Sequence, residues 1–204
     1  YGYVDVFNLA TNKSSDKVGD PKIFMKFAPR MSLDALTGVD MSFGPVQEVY
    51  VASLFEWDGT DFKTNAFSVN NQKIGLGSDV MVPWFGKVGL NLYGTYDSNE
   101  KDWNGFQVST NWFKPFYFLE NGSFISYQGY IDYQFGMKDD ISGKTSNGGA
   151  MFNGLYWHSD RFAVGYGLKL YNNVYGFKDG EALPWGHTPE SSGVGHYVAV
   201  TYKF

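Results

Sequence analysis

The feature that most constrains this chain is a strict alternation of apolar and polar side chains that recurs in one segment after another. From Ile125 to Phe135 every second residue is aliphatic, aromatic or glycine, and the residues between are mostly polar. A period of two places these sets on opposite faces of a β-strand, and helical periodicity is nearly absent. The pattern predicts ten strands: Tyr1–Leu9, Ile23–Leu33, Val46–Trp57, Lys73–Val82, Val88–Asp97, Phe106–Phe113, Phe124–Phe135, Ala150–Trp157, Phe162–Tyr171 and Tyr197–Phe204.

The connections between these strands alternate in length. If neighbouring strands run up and down, every long polar connection falls at one end and the shorter turns fall at the other. Outer-membrane barrels have this asymmetry, with long extracellular loops and short periplasmic turns. Residues 67–72 break the alternation, and we expect a bulge there. The long connections are 10–22, 56–66, 97–104, 136–148 and 172–193, and the shorter ones are 34–45, 83–87, 114–123 and 158–161.

Aromatic residues cluster around the predicted short turns, as in the girdle of a membrane barrel at its interface. A soluble barrel or sandwich with an aromatic core is the alternative. Its water-exposed face should carry many lysines and glutamates, whereas here Ser, Thr, Asn, Gln, Gly and Tyr dominate the polar face. We therefore predict an all-β, transmembrane, antiparallel up-and-down barrel. The girdle comprises Trp84, Phe85, Trp112, Phe113, Phe116, Tyr117, Phe118, Tyr156, Trp157 and Phe162.

Composition excludes several other classes of protein. The longest apolar run, Val80–Phe85, is far shorter than the roughly 18 residues of a spanning helix. The chain has no cysteine, and a net charge of -5 without a basic run disfavours nucleic-acid binding. His158, His187 and His196 lack the spacing of metal ligands. We expect neither a cofactor nor a metal.

Charge is balanced on the face predicted to line the interior. The long loops, with Glu56 counted among them, hold an acidic excess equal to the whole net charge of -5. An ion pore would show a ring of one sign, whereas mixed charges and tyrosines suit a neutral polar solute with an aromatic ring. The other interpretation is that these charged residues form ion pairs that only stabilise the barrel wall. The interior set is Asp5, Lys26, Arg30, Glu48, Lys73, Asp79, Asp132, Lys169 and Lys203, with Tyr50, Tyr93, Tyr130, Tyr171 and Tyr197.

Several motifs resemble those of a known family. The segments Pro29-Arg30-Met31-Ser32-Leu33-Asp34, Asp40-Met41-Ser42-Phe43-Gly44-Pro45 and Glu48-Val49-Tyr50 are similar to the motifs of the nucleoside-specific channel-forming (Tsx-like) outer-membrane family. Residues 1–5, 75–79 and 103–106 add further matches, and the likeness spans the whole chain.

The resemblance implies a monomeric twelve-stranded barrel of the bacterial outer membrane that passes nucleosides by facilitated diffusion. Residues 1–204 would then be one barrel domain whose first two strands and signal peptide lie upstream. The implied partners are outer-membrane lipid, lipopolysaccharide and nucleosides. The barrel-assembly machinery would read Tyr202 and Phe204, and a phage or toxin would dock on loops 136–148 and 172–193.

The resemblance and the alternation together predict the solute-binding residues. Asp5, Arg30, Glu48 and Asp79 lie in matched motifs, whereas Tyr93, Tyr130, Asp132 and Lys169 are chosen by strand alternation.

Two alternative functions stay open. The first is a structural barrel that acts in surface recognition without selective transport. The second is a surface protease in which Asp139 and Asp140 face a pair formed by His187 and Asp179. Acidic residues in solvated loops are common, which disfavours the protease.

Overall fold

A computed structural model of the chain describes residues 2–7, 22–59 and 68–203, and most of them form strands. Within these ranges no helix is long and apolar enough to cross a membrane. The one α-helix described, α1, spans Leu33–Thr37. The strands are β1 (Gly2–Phe7), β2 (Lys22–Phe27), β3 (Arg30–Ser32), β4 (Val46–Trp57), β5 (Asn70–Val82), β6 (Gly86–Asp97), β7 (Asp102–Phe118), β8 (Phe124–Phe135), β9 (Asn147–His158), β10 (Phe162–Asn172) and β11 (Gly193–Tyr202).

All strands belong to one antiparallel sheet in the order β1-β2-β4-β5-β6-β7-β8-β9-β10-β11. Strand β3 continues β2 along β4 in the same register, since Phe27 pairs with Phe55 and Arg30 with Ala52. Pro29, which has no N–H, interrupts the ladder between them. The ten predicted strands are therefore confirmed. Among the described residues, β1 pairs with β2 alone and β11 with β10 alone.

The two faces of the sheet have the reverse of a soluble protein's polarity. The inner face buries polar side chains, and the outer face exposes apolar ones. An apolar outside and a polar inside are what a barrel in lipid requires. Buried inner residues include Lys73, Asn91, Thr95, Gln107 and Ser109, and exposed outer residues include Val4, Met25, Ile74, Leu92, Leu155, Val164 and Val200.

Strand β7 is longer at both ends than the alternation predicts. It begins at Asp102, so the expected loop 97–104 shrinks to 98–101. A register shift opposite Gly94 is accommodated by Gly105, whose φ of +73° is available to glycine. A second shift follows Pro115, and the strand continues to Phe118 because a bulge tolerates proline. The expected turn 114–123 is therefore only 119–123.

The bulge expected at residues 67–72 is wrong where the structure describes it. Trp57 pairs with Asn70 and Phe55 with Gln72 without a register shift. Residues 8–21 and 60–67, which include most of the two predicted loops 10–22 and 56–66, lie outside the described residues.

The aromatic girdle differs from its prediction in three members, one of which is Phe118, since its partner Phe124 lies on the inner face. On the outer face at the short-turn end, the Trp112 ring lies 6.4 Å from Phe85 and 5.7 Å from Tyr127. Phe113 and Tyr156, however, share the inner face with buried Ser126, because Phe113 pairs with Gln128 and Tyr156 pairs with Ser126 itself. Residue type alone assigned them to lipid, whereas strand register turns them inward.

The outer face also carries aromatic residues at the long-loop end, which were not predicted. Tyr96 and Trp103 are 5.7 Å apart, and Phe106 and Phe135 are stacked at 5.6 Å. The chain thus has an aromatic belt at each end of its apolar band, as expected for both membrane interfaces.

A charge placed in the middle of this band should destabilise the barrel more than one at its edge. Leu92→Arg, at the centre of β6, should lower the free energy of unfolding in lipid vesicles by about 2–4 kcal/mol. The control Val82→Arg, at the short-turn end of β5, should lower it by about 0–1 kcal/mol. Denaturant titration measures both values, and equal losses would contradict the placement of the band.

Candidate functional site

An ion network occupies the interior near the long-loop end of the sheet. Lys73 of β5 pairs with Glu56 of β4, and the Lys26 ammonium of β2 lies 3.3 Å from the other Glu56 oxygen. The same ammonium lies 3.6 Å from the carboxylate of Asp132 on β8. We call these four residues the ionic bridge. Only 1% of the Lys73 side chain is exposed, so its charge depends on this pairing.

The ionic bridge crosses the interior of the sheet. In the strand order, β2 and β8 are separated by β4, β5, β6 and β7. Contact between Lys26 and Asp132 therefore requires the sheet to curl until its two walls face each other. The bridge divides the interior into a side lined by β4–β7 and a side lined by β8–β11.

The side lined by β4–β7 is filled by side chains. Tyr93 is 3% exposed, Thr95 4% and Gln107 2%. Gln107 donates to Ser109 at 2.8 Å, and Ser109 donates to Asp132 at 2.5 Å, so the packing continues into the ionic bridge. Tyr93 faces the interior as predicted but has no accessible ring face, so a solute in the interior would not contact it.

The opposite side presents aromatic rings on an accessible wall. Tyr130 and Phe152 are stacked at 6.1 Å with planes 22° apart, and Tyr197 meets Phe152 edge-on at 6.2 Å. The Tyr171 hydroxyl lies 3.0 Å from that of Tyr197, and the Lys169 ammonium lies 5.1 Å from the Tyr171 ring. We call these five residues the tyrosine patch. Alternation predicted all of them except Phe152.

Glycine makes room for the rings of the tyrosine patch. A Cβ at Gly167, which pairs with Gly154 on β9, would lie 2.4 Å from the Phe152 ring. Only glycine lets that ring approach the backbone of β10 so closely. The wall of the tyrosine patch is therefore shaped by backbone approach as well as by its aromatic side chains.

The matched motifs converge on a second cluster at the short-turn end. The Arg30 guanidinium lies 3.0 Å from Asp79 and 3.8 Å above the Tyr50 ring. The Tyr50 hydroxyl donates to Glu48 at 2.6 Å and lies 3.2 Å from Asp79. The Asp79 carboxylate is also paired with the Lys87 ammonium at 3.1 Å. These five residues form the motif cluster. It brings together Arg30, Glu48 and Asp79 of the predicted site.

Each of the two ion clusters is electrically balanced. The ionic bridge holds two carboxylates and two ammonium groups, and the motif cluster holds two carboxylates against Arg30 and Lys87. The prediction that Glu56 lies in the outer loop 56–66 is wrong, because β4 extends to Trp57 and turns Glu56 inward. Neither cluster provides a ring of one sign.

The other predicted residues take no part in these clusters. Asp5 is exposed on β1, where it pairs with Phe24, and Lys203 is exposed beyond β11. Among the residues proposed for a protease, Asp179 accepts hydrogen bonds from the backbone N–H groups of Ser191 and Ser192 at 2.7 and 2.8 Å. That carboxylate holds its loop together.

A sheet with an apolar outside, two aromatic belts and a polar, charge-balanced inside defines the class of outer-membrane β-barrel channels. Within that class, the chain belongs to the Tsx family. Residues 1–204 match the family model described as "Nucleoside-specific channel-forming protein, Tsx". This is a family of channel-forming proteins, not of enzymes.

The relatives agree with this assignment. "Outer membrane protein OmpK" of Vibrio parahaemolyticus serotype O3:K6 is 80% identical over 204 residues, which cover 100% of this chain and 74% of the relative. "Nucleoside-specific channel-forming protein Tsx" of Salmonella typhimurium is 31% identical over 219 residues, covering 100% of this chain and 75% of the relative. The chain is thus an outer-membrane protein of Gram-negative bacteria.

Removing one charge from the ionic bridge should give the channel an ion preference. Asp132→Asn leaves one excess positive charge and should shift the reversal potential in a salt gradient toward anion selectivity. Lys26→Met leaves one excess negative charge and should shift the reversal potential toward cations. Bilayer recordings measure both shifts.

The double variant Lys26→Met/Asp132→Asn is the decisive control, because it restores neutrality and should return the reversal potential to that of the parent. Asp102→Asn removes a carboxylate from an exposed pair with Lys138 at 2.6 Å and should change it little. Parent-like selectivity in both single variants would show that permeating ions do not sense the ionic bridge.

Proposed function

We propose that this chain forms a monomeric channel through which small polar solutes diffuse passively, with a preference for nucleosides. The observation that carries the proposal is the tyrosine patch, an accessible inner wall of aromatic rings beside a charge-balanced ionic bridge. The name of the Salmonella relative, a nucleoside-specific channel-forming protein, supports the same solute class.

The chemistry of the tyrosine patch suits a nucleoside. Any nucleobase can stack on an aromatic ring, and each stacking contact contributes about 1–3 kcal/mol to the binding free energy. Tyrosine hydroxyls donate and accept hydrogen bonds, and the Lys169 ammonium donates them to ribose and base oxygens. The proposed contact residues at this level are Tyr130, Asp132 and Lys169, joined by Phe152, Tyr171 and Tyr197.

The motif cluster provides a second proposed contact point at the short-turn end. Arg30, Glu48 and Asp79 offer both donors and acceptors there, and 27% of the Arg30 side chain is exposed. Asp5, exposed on β1, remains a proposed contact nearer the long-loop end. Several weak contacts along one path favour passage, because a solute must be able both to bind and to leave.

Tyr130→Ala should weaken nucleoside binding without loss of the barrel. The half-blocking concentration of adenosine in single-channel recordings should rise about 5- to 150-fold, which corresponds to one lost stacking contact. The matched control Tyr133→Ala removes a tyrosine from the outer face of the same strand and should leave block unchanged.

Unchanged block in the Tyr130→Ala variant would contradict stacking at the tyrosine patch. Liposome swelling tests the broader claim, since equal rates for adenosine and for a sugar of the same size would favour a structural barrel without selective transport.

We also propose that the loops within 136–148 and 172–193 serve as a docking surface for a phage or toxin. The supporting observation is that they are ordered against each other while Trp185 remains 45% exposed at their surface. Trp185→Ser should reduce adsorption of phages that fail to plaque on a strain lacking this protein. Adsorption that stays unchanged while Trp185→Ser is present at parental surface levels would contradict the proposed contact.

The remaining proposed partners follow from the faces and edges of the sheet. The apolar outer band would contact lipid and, in the outer leaflet, lipopolysaccharide. Tyr202, 43% exposed with its ring 4.9 Å from Phe162, would present an aromatic signal to the barrel-assembly machinery. Phe204 lies outside the described residues.

Two further strands upstream would close the barrel between β1 and β11, since open strand edges do not occur in lipid.

A further inference from the structure

The lipid-facing side of the sheet has a groove across β8, β9 and β10 near the long-loop end. Its volume is about 300 Å³, and six of its nine lining residues turn their side chains outward. The other three, Asp132, Ala150 and Tyr171, turn theirs inward, so the groove opens toward lipid and is separate from the interior. We call it the outer groove and define it by Ile131, Tyr133, Gly149, Met151, Leu170 and Asn172.

Strand register determines the shape of the outer groove. Directly paired residues of an antiparallel sheet share a face, and residues two apart along a strand are about 7 Å apart. The walls on β8 and β10 are two strand spacings apart, which is about 10 Å. The outer groove therefore consists of an upper and a lower rung of directly paired residues, Tyr133–Gly149–Asn172 and Ile131–Met151–Leu170.

A glycine keeps the centre of the upper rung empty. Gly149 has no side chain between the two walls, and a Cβ there would lie 2.3 Å from the Asp132 carbonyl oxygen, so the position accepts only glycine. In the lower rung the central position belongs to Met151, whose unbranched side chain adapts to its neighbours. An unfilled space would lose dispersion contacts, so a flexible hydrocarbon chain is suited to fill it.

The upper rung lies beside the aromatic belt at the long-loop end. The Tyr133 ring is 6.4 Å from that of Phe135 with planes 19° apart, and Phe135 stacks on Phe106. Aromatic belts lie at the level of the lipid headgroups, so the outer groove begins just below that level. Because the long loops of outer-membrane barrels are extracellular, this belt belongs to the outer leaflet.

Polarity changes along the outer groove in the same direction as it does along a lipid. The upper rung carries two polar groups, the Tyr133 hydroxyl and the Asn172 amide, and both can hydrogen-bond to a carbonyl oxygen. The lower rung has only apolar side chains, of which Leu170 is 39% exposed. A fatty acyl chain has the same order, with a carbonyl near the headgroup and methylenes below it.

We propose that the outer groove is a binding site for one fatty acyl chain of lipopolysaccharide, the lipid of the outer leaflet. The acyl carbonyl lies at the upper rung and accepts a hydrogen bond from the Asn172 amide, and the methylenes pass over Gly149 toward Met151. The other chains of the same molecule stay in the surrounding leaflet. This rests on the proposed contact between the apolar outer band and lipopolysaccharide.

Leu170→Trp is the direct test, because an indole at this position fills the lower rung. Native mass spectrometry of the full-length protein with increasing hexa-acylated lipid A measures the affinity for the first bound molecule. Each methylene that loses its contact should lower this affinity about 4-fold, so two or three lost contacts should lower it about 15- to 60-fold. The matched control Val164→Trp lies on the outer face of the same strand at the short-turn end and should keep the parental affinity.

Parental affinity in Leu170→Trp, or an equal loss in both variants, would overturn the proposal. Phosphatidylethanolamine titrated in parallel tests the source of the chain. It should bind more weakly than lipid A, because each lipid A molecule offers more acyl chains to the outer groove. Binding of phosphatidylethanolamine as tight as that of lipid A would overturn the assignment to lipopolysaccharide.

Photo-crosslinking provides a second test that leaves the outer groove unaltered. The chain has no cysteine, so a benzophenone can be attached to a single introduced one. Val194, 59% exposed, pairs with Leu170 and lies beside the outer groove, whereas Ile74, 56% exposed, lies on the outer face of β5. With equimolar lipid A, Val194→Cys should give a higher yield of lipid adduct than Ile74→Cys.

The two proposals about lipid fail in different ways. Equal adduct yields at positions 194 and 74 would overturn the binding site in the outer groove and leave the general contact with lipopolysaccharide standing. Absence of adduct at both positions would contradict that general contact as well. Neither test depends on which solutes pass through the interior.

Discussion

The organisation of the interior depends on one ionic contact across it, between Lys26 of β2 and Asp132 of β8. A buried ammonium or carboxylate without a partner is strongly destabilising, so each charge of the ionic bridge depends on the others. Lys73 is tolerated at 1% exposure because Glu56 pairs with it, and Glu56 in turn binds Lys26. Because the bridge joins opposite walls, it separates the filled half of the interior, lined by β4–β7, from the half lined by β8–β11.

Because both clusters are electrically balanced, the interior favours neither cations nor anions. The shape of a solute then matters more than its charge. The ionic bridge and the motif cluster each carry two positive and two negative charges, so a permeating ion meets no ring of opposite charge that favours it. What varies along the open wall is the arrangement of aromatic rings, and Gly167 allows the Phe152 ring to approach the backbone of β10 closely. A planar aromatic solute is the kind of molecule that gains most from such a wall.

Much of this fold is predictable from the sequence, because the pleat forces side chains to alternate and register then carries each face across the sheet. Arg30, Glu48, Asp79 and Tyr130 reach the inner face for that reason. Glu56 shares the even numbering of Glu48 and Tyr50 along β4, a signal that a misplaced loop boundary concealed. The full length of β7 was not predicted, because glycine and proline usually end a strand. Here bulges at Gly105 and Pro115 accommodate them and the strand continues.

Alternation could not predict how deeply each inward-facing side chain is buried. Tyr93 and Tyr130 have the same orientation, yet one is buried to 3% exposure beside Ala52 and Leu54 and the other lines the open wall. The difference arises from side chains of other parts of the chain, Ala28, Ala52 and Leu54 among them, which no local pattern encodes. Phe152 was missed for a related reason, since residues 150–157 are apolar on both faces and give no alternation to follow.

The strength of each contact also bears on how a channel of this design would work. A single stacking contact of about 1–3 kcal/mol holds a base weakly, and weak binding is what permits release on the far side. A deeper site built from every tyrosine on the inner face would retain its solute and slow its passage. Burial of Tyr93 and coverage of Tyr50 by the Arg30 guanidinium leave fewer free rings along the path. The filled half of the interior therefore contributes to the proposed transport by limiting how tightly a solute is held.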